Sequence, residues 1–346
     1  MNEIVEQVKE YYGKVLDGTK DLKTKACCCS SAGLPKEVRE ALSLIDDEII
    51  THYYGCGSPI PPLLDGMTVL DLGCGTGRDV YVASKLVGET GHVIGVDMTQ
   101  EQLDIALRHE EEQYKRFGYK ASNVTFKKGY IEDLQSLGIA DNSIDVVISN
   151  CVINLSPYKQ NVFNEIWRVL KPGGELYFSD VFTDRRIPDE LYADPVLHGE
   201  CISGAMYFED FRRMLNKAGF MDFVYMSIRN FDLGNEAIEE KVGFAHFSER
   251  TVRVFKLADL EDACEDYGQV AVYRGTVPGH PHAFDFDMNN HFVTGKPMLV
   301  SGNLASMLSE TRYAPAFTVY GDRSVHFGPF GMTPVAGDDG DSGCCC

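Results

Sequence analysis

Apolar and polar positions follow two rhythms along the chain. Residues 2 to 16 and 35 to 50 (PKEVREALSLIDDEII) space their apolar positions as amphipathic helices do. After the proline-rich SPIPPLL, short apolar runs alternate with amphipathic stretches: TVLDLG, RDVYVASKLVG, HVIGVDM, TQEQLDIALRHEEEQYKRFG, NVTFKKGY, IDVVISN, YKQNVFNEIWRVL and GELYFSDVF. A further helix (209 to 219) and strand (222 to 230) close the series. Strand and helix in alternation predict a doubly wound, Rossmann-like α/β sheet. From residue 231 the rhythm changes. RVFKL, QVAVYRG and AFTVYG read as strands among turns, with helix only around EEKV and NLASML, which predicts a smaller α+β unit. The expected organisation is a helical arm with a cysteine loop (1–58), the α/β domain (59–230), the α+β domain (231–335) and a disordered cysteine-tipped tail (336–346).

Composition narrows the partners. The 346 residues carry 52 acidic against 32 basic side chains, a formal charge of −20, which repels phosphate backbones and anionic lipid surfaces. Nucleic acid and membranes are therefore not expected partners. No stretch approaches the ~20 apolar residues of a membrane span, and the N-terminal pattern lacks an apolar signal core, so a cytoplasmic protein is expected. Eleven cysteines are many for such a protein. Disulfides there are usually transient, so the excess suggests metal or metalloid binding or redox chemistry, although any single cysteine can equally be a core residue.

The segment VLDLGCGTGRD (69 to 79) sets Gly73, Gly75 and Gly77 after a strand and before a helix, where glycine lets the backbone turn sharply and approach a ligand. Asp97 ends the next strand, placed to accept hydrogen bonds from ribose hydroxyls. Together these indicate a nucleoside-bearing cofactor. The dinucleotide spacing G-x-G-x-x-G is absent; the form is D-x-G-x-G-x-G, beginning at Asp71. That form resembles the first motif of class I S-adenosylmethionine-dependent methyltransferases. GYIEDL, with Ile131 and Glu132, resembles the adenine-contacting motif of that superfamily, and SNCVINL and RVLKPGGEL resemble its later motifs. The resemblance implies a methyl-donor site at Asp71, Gly73, Gly75, Gly77, Arg78, Asp97, Met98, Ile131, Glu132 and Asn150.

Three cysteines stand apart from the rest. Cys56 precedes the first strand, Cys151 lies at the carboxyl end of the fourth, and Cys201 follows the fifth. Ligands of open α/β sheets bind beyond those carboxyl ends, which puts Cys151 at the cofactor's rim. Converging thiolates select soft centres. Zinc is one, with His198 and Cys201 as an H-x-x-C pair, but the dispersed cysteines lack the close C-x-x-C spacing of common structural sites. A three-coordinate soft element beside a methyl donor fits better. Cys74, inside the glycine loop, is expected to pack between strand and helix.

Over nearly its whole length the chain is similar to arsenite S-adenosylmethionine methyltransferases. DLKTKAC, HYYGCG, DLGCGTGRDVY, VIGVDMTQEQL, DVVISNCVINLSPYK, LKPGGELYFSDVF, DPVLHGECISGA and CEDYGQVAVYRGT carry the likeness. It implies that Cys56, Cys151 and Cys201 bind trivalent arsenic, that Cys27 is a redox thiol forming a transient disulfide with Cys56, and that Tyr54 faces the donor's sulfonium. Cys28 and Cys29 are possible stand-ins for Cys27. It further implies methylation of arsenite to mono- and dimethyl products as detoxification, with glutathione or thioredoxin as reductant. The family has tryptophan where this chain has His198. Cys344, Cys345 and Cys346 have no counterpart in the family pattern, and read as a flexible tail or as an arsenic-capturing one. Two other readings stay open on the residues alone: a small-molecule methyltransferase with structural cysteines, and a non-catalytic thiol-rich metal-binding protein.

Overall fold

The computed structural model describes residues 34–53, 55 and 57–331. The helix expected at 2–16, Cys27 with its neighbours, Tyr54, Cys56 and the tail from 336 lie outside the described residues. The helical stretch 35 to 50 divides into α1 (Lys36–Leu42) and α2 (Asp47–Thr51). Asp46 causes the break: its side chain accepts from the Glu48 amide at 3.0 Å and so caps α2.

The α/β unit then runs β1 (Thr68–Leu72), α3 (Arg78–Val87), β2 (His92–Asp97), α4 (Gln100–Phe117), β3 (Val124–Lys128), β4 (Ile144–Asn150), α5 (Lys159–Val169) and β5 (Leu170–Thr183). It continues through α6 (Pro195–Gly199), β6 (Met206–Tyr207), α7 (Phe208–Ala218), β7 (Phe223–Phe231), α8 (Glu236–Val242) and β8 (Phe247–Phe255). The sheet order is β3-β2-β1-β4-β5-β8-β7, with the short β6 pairing β5. Strands β1 to β5 are parallel, while β8 runs antiparallel between β5 and β7.

Side chains of successive strand residues point to opposite faces, and the sequence fills both. On one face Leu70, Leu72, Phe178 and Val254 pack with Phe163 and Ile166 of α5 and Phe211 and Leu215 of α7. On the other, Val69, Val93, Val146 and Ile148 pack with residues of α1 to α4. In α5, Val162, Phe163, Ile166 and Val169 are fully buried at helical spacing, each contributing roughly 1.5 to 3 kcal/mol. Among the described residues no helix is long and apolar enough to cross a membrane.

Residue 230 is not where the large sheet ends. RVFKL, read as a strand of the smaller unit, is largely the end of β8, which pairs along its whole length with β5. The physical reason is burial on both faces: Val252, Val254 and Phe255 are inaccessible, as expected of an interior strand rather than of an edge in a second sheet. Beyond it come β9 (Glu265–Asp266), β10 (Val270–Tyr273), β11 (Ala283–Asp285), β12 (His291–Val293), β13 (Pro297–Leu299), α9 (Gly302–Ser309), β14 (Phe317–Tyr320) and β15 (Gly328–Pro329). They form one three-stranded sheet, β13-β10-β14, and two two-stranded ladders around an aromatic core that includes Tyr273, Phe284, Phe286, Tyr313 and Phe317. A buried ion cluster joins this region to the large sheet. Glu175 on β5 meets Arg253 Nε of β8 at 2.6 Å and also pairs with Arg312, while Arg253 donates to Tyr313 Oη at 2.8 Å and to the Phe286 carbonyl at 2.5 Å.

Candidate active site

The carboxyl ends of β1, β2 and β4 open onto a solvent-accessible cleft of about 1040 Å³, counting the space open to solvent at its mouth. Asp71, Gly73, Gly75, Arg78, Asp97, Met98, Ile131, Glu132, Asn150 and Cys151 all line it, so the structure brings together most of the positions singled out in the sequence. Gly77 stands just behind, as the residue that leads into α3. The loop between β1 and α3 turns through left-handed backbone at Gly73 (φ 69°), Gly75 (52°) and Gly77 (85°). At Gly73 space matters as well, because a Cβ there would lie 2.4 Å from the methyl carbons of Val152.

Asp97 is fixed by its own loop: its carboxylate accepts from the Gly75 amide at 2.9 Å and from the Thr99 amide at 2.8 Å. Ser156 donates to Glu132 across the adjoining wall. Burial pushes the Asp71 carboxyl well above its ordinary value, and the neighbouring Asp79 and Asp97 add to the effect. Asp97 is raised too, again by burial, against the pull of its amide donors. Three carboxyl groups thus share one cleft, with the Arg78 guanidinium 3.6 Å from Asp79, and a further cation bound there would favour their ionised forms. A glycine cradle, an acid at the end of β2 and this anionic floor suit a nucleoside whose remainder is positively charged.

At the rim, Cys151 and Cys201 are two of only four non-glycine residues with positive φ among those described, at 54° and 61°. Left-handed backbone is strained for cysteine, typically by about 1 to 3 kcal/mol, and is retained where surrounding structure imposes it. Cys201 is fully buried and its thiol donates to the Cys151 carbonyl at 3.2 Å, so the turns carrying the two residues meet. Cys151 and Cys264 take part in disulfides. Cys74 is buried among Val80, Val93 and their neighbours, as a packing role requires.

His198, on α6, turns away from metal binding. Its Nε2 meets the Leu155 carbonyl at 3.1 Å, and burial pushes its pKa down to about 4. The ring stacks obliquely on Tyr192, 5.0 Å away. Lys159 donates to Tyr192 Oη at 2.7 Å and to the Ser156 carbonyl at 2.9 Å, with burial lowering its pKa to about 8. Asp180 holds Asn154 through its side-chain amide at 2.6 Å, and burial raises its carboxyl to about 7. These contacts tie the Cys201 segment to the turn after Cys151. Sequence reading missed Lys159, Asn154 and Asp180 although two conspicuous motifs contain them; a lone lysine or asparagine in a loop carries no pattern that separates anchoring from solvation. Tyr53, Asp79 and Gln102 were also missed, and line the cleft.

Comparison with known proteins agrees with this geometry. Residues 63–219 match the model of a methyltransferase domain, and residues 266–335 that of the arsenite methyltransferase C-terminal domain. The arsenite methyltransferase of Aquipseudomonas alcaligenes is 52% identical over 325 residues, 94% of this chain and 93% of that protein. The mouse arsenite methyltransferase is 42% identical, over 91% of this chain and 83% of its own. The crystal structure of an arsenic(III) S-adenosylmethionine methyltransferase from Chlamydomonas reinhardtii superposes with a TM-score of 0.83 at 51% identity, covering 86% of this chain and all of that one. A class I methyltransferase sheet joined to this C-terminal region, and identity sustained along the chain, make it a member of the arsenite methyltransferase family.

Proposed function

We propose that the chain methylates trivalent arsenic, with S-adenosylmethionine as methyl donor. The observation that carries this reading is the meeting of Cys151 and Cys201, both on strained backbone, at the rim of a cleft built for a cationic nucleoside. Asp97 would hold the ribose, Ile131 and Glu132 the adenine, the backbone at Gly73, Gly75 and Gly77 the amino-acid tail, and Tyr54 the sulfonium through its ring face. Asp71, Arg78 and Met98 complete the lining. The donor, when bound, supplies an electrophilic methyl group.

The chain's part is to bind and orient the metalloid. Once a thiol has reduced the disulfide of Cys151, thiolates of Cys56, Cys151 and Cys201 would replace the oxygens on arsenic(III) and leave its lone pair free; thiolate sulfur is the ligand such a soft centre prefers. Holding that lone pair towards the methyl group turns an encounter into an oriented step, worth up to about 7 to 11 kcal/mol in favourable cases. The nucleophile carries no proton, so no base is needed. His198 and Lys159 are accordingly engaged in anchoring contacts. Each transfer leaves arsenic formally oxidised by two electrons, and thiols return it to the trivalent state. Cys27, with Cys56 as its disulfide partner and glutathione or thioredoxin as final reductant, fits that role by thiol–disulfide exchange. A cytoplasmic setting would supply those reductants.

Purified protein incubated with arsenite, methyl-labelled donor and glutathione should place label on arsenic, as mono- and dimethyl products. Cys151→Ser and Cys201→Ser should each abolish transfer. Substantial activity in either, or label found on another substrate or nowhere, would refute the assignment.

A further inference from the structure

The segment around Cys56 reads Tyr-Tyr-Gly-Cys-Gly, and one side chain grips its described residues. Asn150, the last residue of β4, accepts from the Gly57 amide at 3.2 Å and donates to the Gly57 carbonyl at 3.0 Å. A single carboxamide thus satisfies both backbone groups of that residue, as a neighbouring strand would. The same Nδ2 also lies within hydrogen-bond reach of Tyr53 Oη and of Asp79 Oδ2 at 3.2 Å, three acceptors sharing its two hydrogens. Tyr53 Oη donates in turn to the Gly57 carbonyl at 3.0 Å, and the Arg78 guanidinium lies 3.6 Å from the centre of the Tyr53 ring. Neither glycine has room for a side chain. A Cβ on Gly55 would lie 2.6 Å from Asn150 Cγ, and one on Gly57 would lie 2.4 Å from Ser179 Oγ on β5.

Asn150 is bonded directly to Cys151, and Gly55 and Gly57 are bonded to Cys56. From this juxtaposition we infer that Asn150 is a positioning residue that sets the relation between the Cys56 and Cys151 thiols, and not a ligand of the methyl donor as its place at the end of β4 suggests. A soft ion shared by several thiolates is held tightly only when their spacing is fixed before it arrives, and groups that orient ligands are worth roughly 10- to 100-fold in affinity. The clamp rests on the three-thiol reading of the arsenic site and supplies the rigidity that reading requires. It also explains the two glycines beside the cysteine in sequence: Gly55 stands against Asn150 on β4 and Gly57 against Ser179 on β5, each without room for a side chain.

The test uses the full-length chain under reducing conditions, with arsenite binding followed by equilibrium dialysis and donor binding by calorimetry. Asn150→Ala and Gly57→Ala should each weaken arsenite binding by roughly tenfold or more while leaving donor affinity unchanged. Adding Ser179→Gly to Gly57→Ala removes the atoms in the way and should restore much of the loss, which a merely unfolded variant would not show. Loss of donor affinity in Asn150→Ala, or no rescue by Ser179→Gly, overturns the clamp. Cys56→Ser separates the two levels: arsenite affinity unchanged in that variant refutes the three-thiol site itself. Weak binding by Cys56→Ser beside wild-type affinity in Asn150→Ala refutes the clamp alone.

Discussion

Cys201 combines two properties that ordinarily exclude each other, complete burial and a left-handed backbone on a residue with a Cβ. Glycine is the residue that such a φ favours, so the usual ranking of small substitutions should invert here. Cys201→Gly is expected to be more stable than Cys201→Ala by about 1 kcal/mol, read from urea midpoints under reducing conditions, with both inactive. The cost of keeping cysteine is what a ligand role would explain. Two buried groups beside it respond to pH in opposite senses. His198, with a pKa near 4 in the fold against an ordinary 6.5, favours the folded state fully above pH 6.5, and that advantage is lost as pH falls towards 4. Asp180, raised from 3.8 to about 7, favours the folded state fully below its ordinary pKa and loses that advantage as pH rises through 7. The two trends offset one another between pH 4 and 7. Relative to wild type, His198→Gln should lose stability as pH rises across that window and Asp180→Asn should gain it, each by at most about 3 to 4 kcal/mol, in urea titrations at three pH values. Cys151 and Cys201 were legible as a pair worth attention because cysteine is a distinctive residue type at motif positions, and the structure brings their turns together, whereas Cys56 lies outside the described residues. Asn150 was legible as a site residue but not in its gripping role, which is a property of the Gly57 backbone it meets and leaves no trace in residue identity.

Elements with a strict period were readable from the chain. The β1 loop, α3, α4 and the parallel strands follow from apolar runs and glycine placement, since burial on two sheet faces dictates those patterns. The glycine loop between β1 and α3 gives an element-scale prediction. Gly73→Ala adds a methyl 2.4 Å from Val152 and strains φ, so donor binding should weaken by tenfold or more, on the order of 1.4 kcal/mol, in calorimetry. Donor affinity at wild-type level would show that the loop yields. Two elements misled. The stretch 35–50 has a continuous helical period, yet capping by Asp46 restarts the helix, a local hydrogen bond outweighing the period. Strand β8 lies after a helix and a glycine-bearing turn, where a new unit is the natural reading. Its pairing with β5 is a long-range choice that short windows of sequence do not encode.

Across the whole molecule, the cluster of Glu175, Arg253 and Arg312 joins the donor-binding sheet to the C-terminal region. Glu175 and Arg253 are fully buried, so each charge depends on the others for its solvation. Glu175→Gln leaves two guanidinium groups without their counter-charge and should cost about 3 to 5 kcal/mol, seen as a large drop in unfolding midpoint. Replacing all three residues with apolar ones of similar volume should recover most of that loss, because the desolvation cost disappears with the charges.

The placement of β8 also bears on how such a chain can be cut or recombined. A fragment ending at residue 230 would keep the glycine loop and both Cys151 and Cys201, yet it would lack the strand that separates β5 from β7, leaving their backbone amides and carbonyls facing a gap. The C-terminal region is therefore no detachable cassette at that point. The pairing with β5 continues through Lys256, whose amide donates to the Gly174 carbonyl and whose carbonyl accepts from the Gly173 amide, so a cut that spares it falls after that residue, and even there Arg253 would lose Tyr313 and the Phe286 carbonyl. Exchange of C-terminal regions between relatives would succeed only where the incoming piece brings acceptors for Arg253 and a cation for Glu175 in place of Arg312, which makes one buried ion cluster a compatibility test for chimeras.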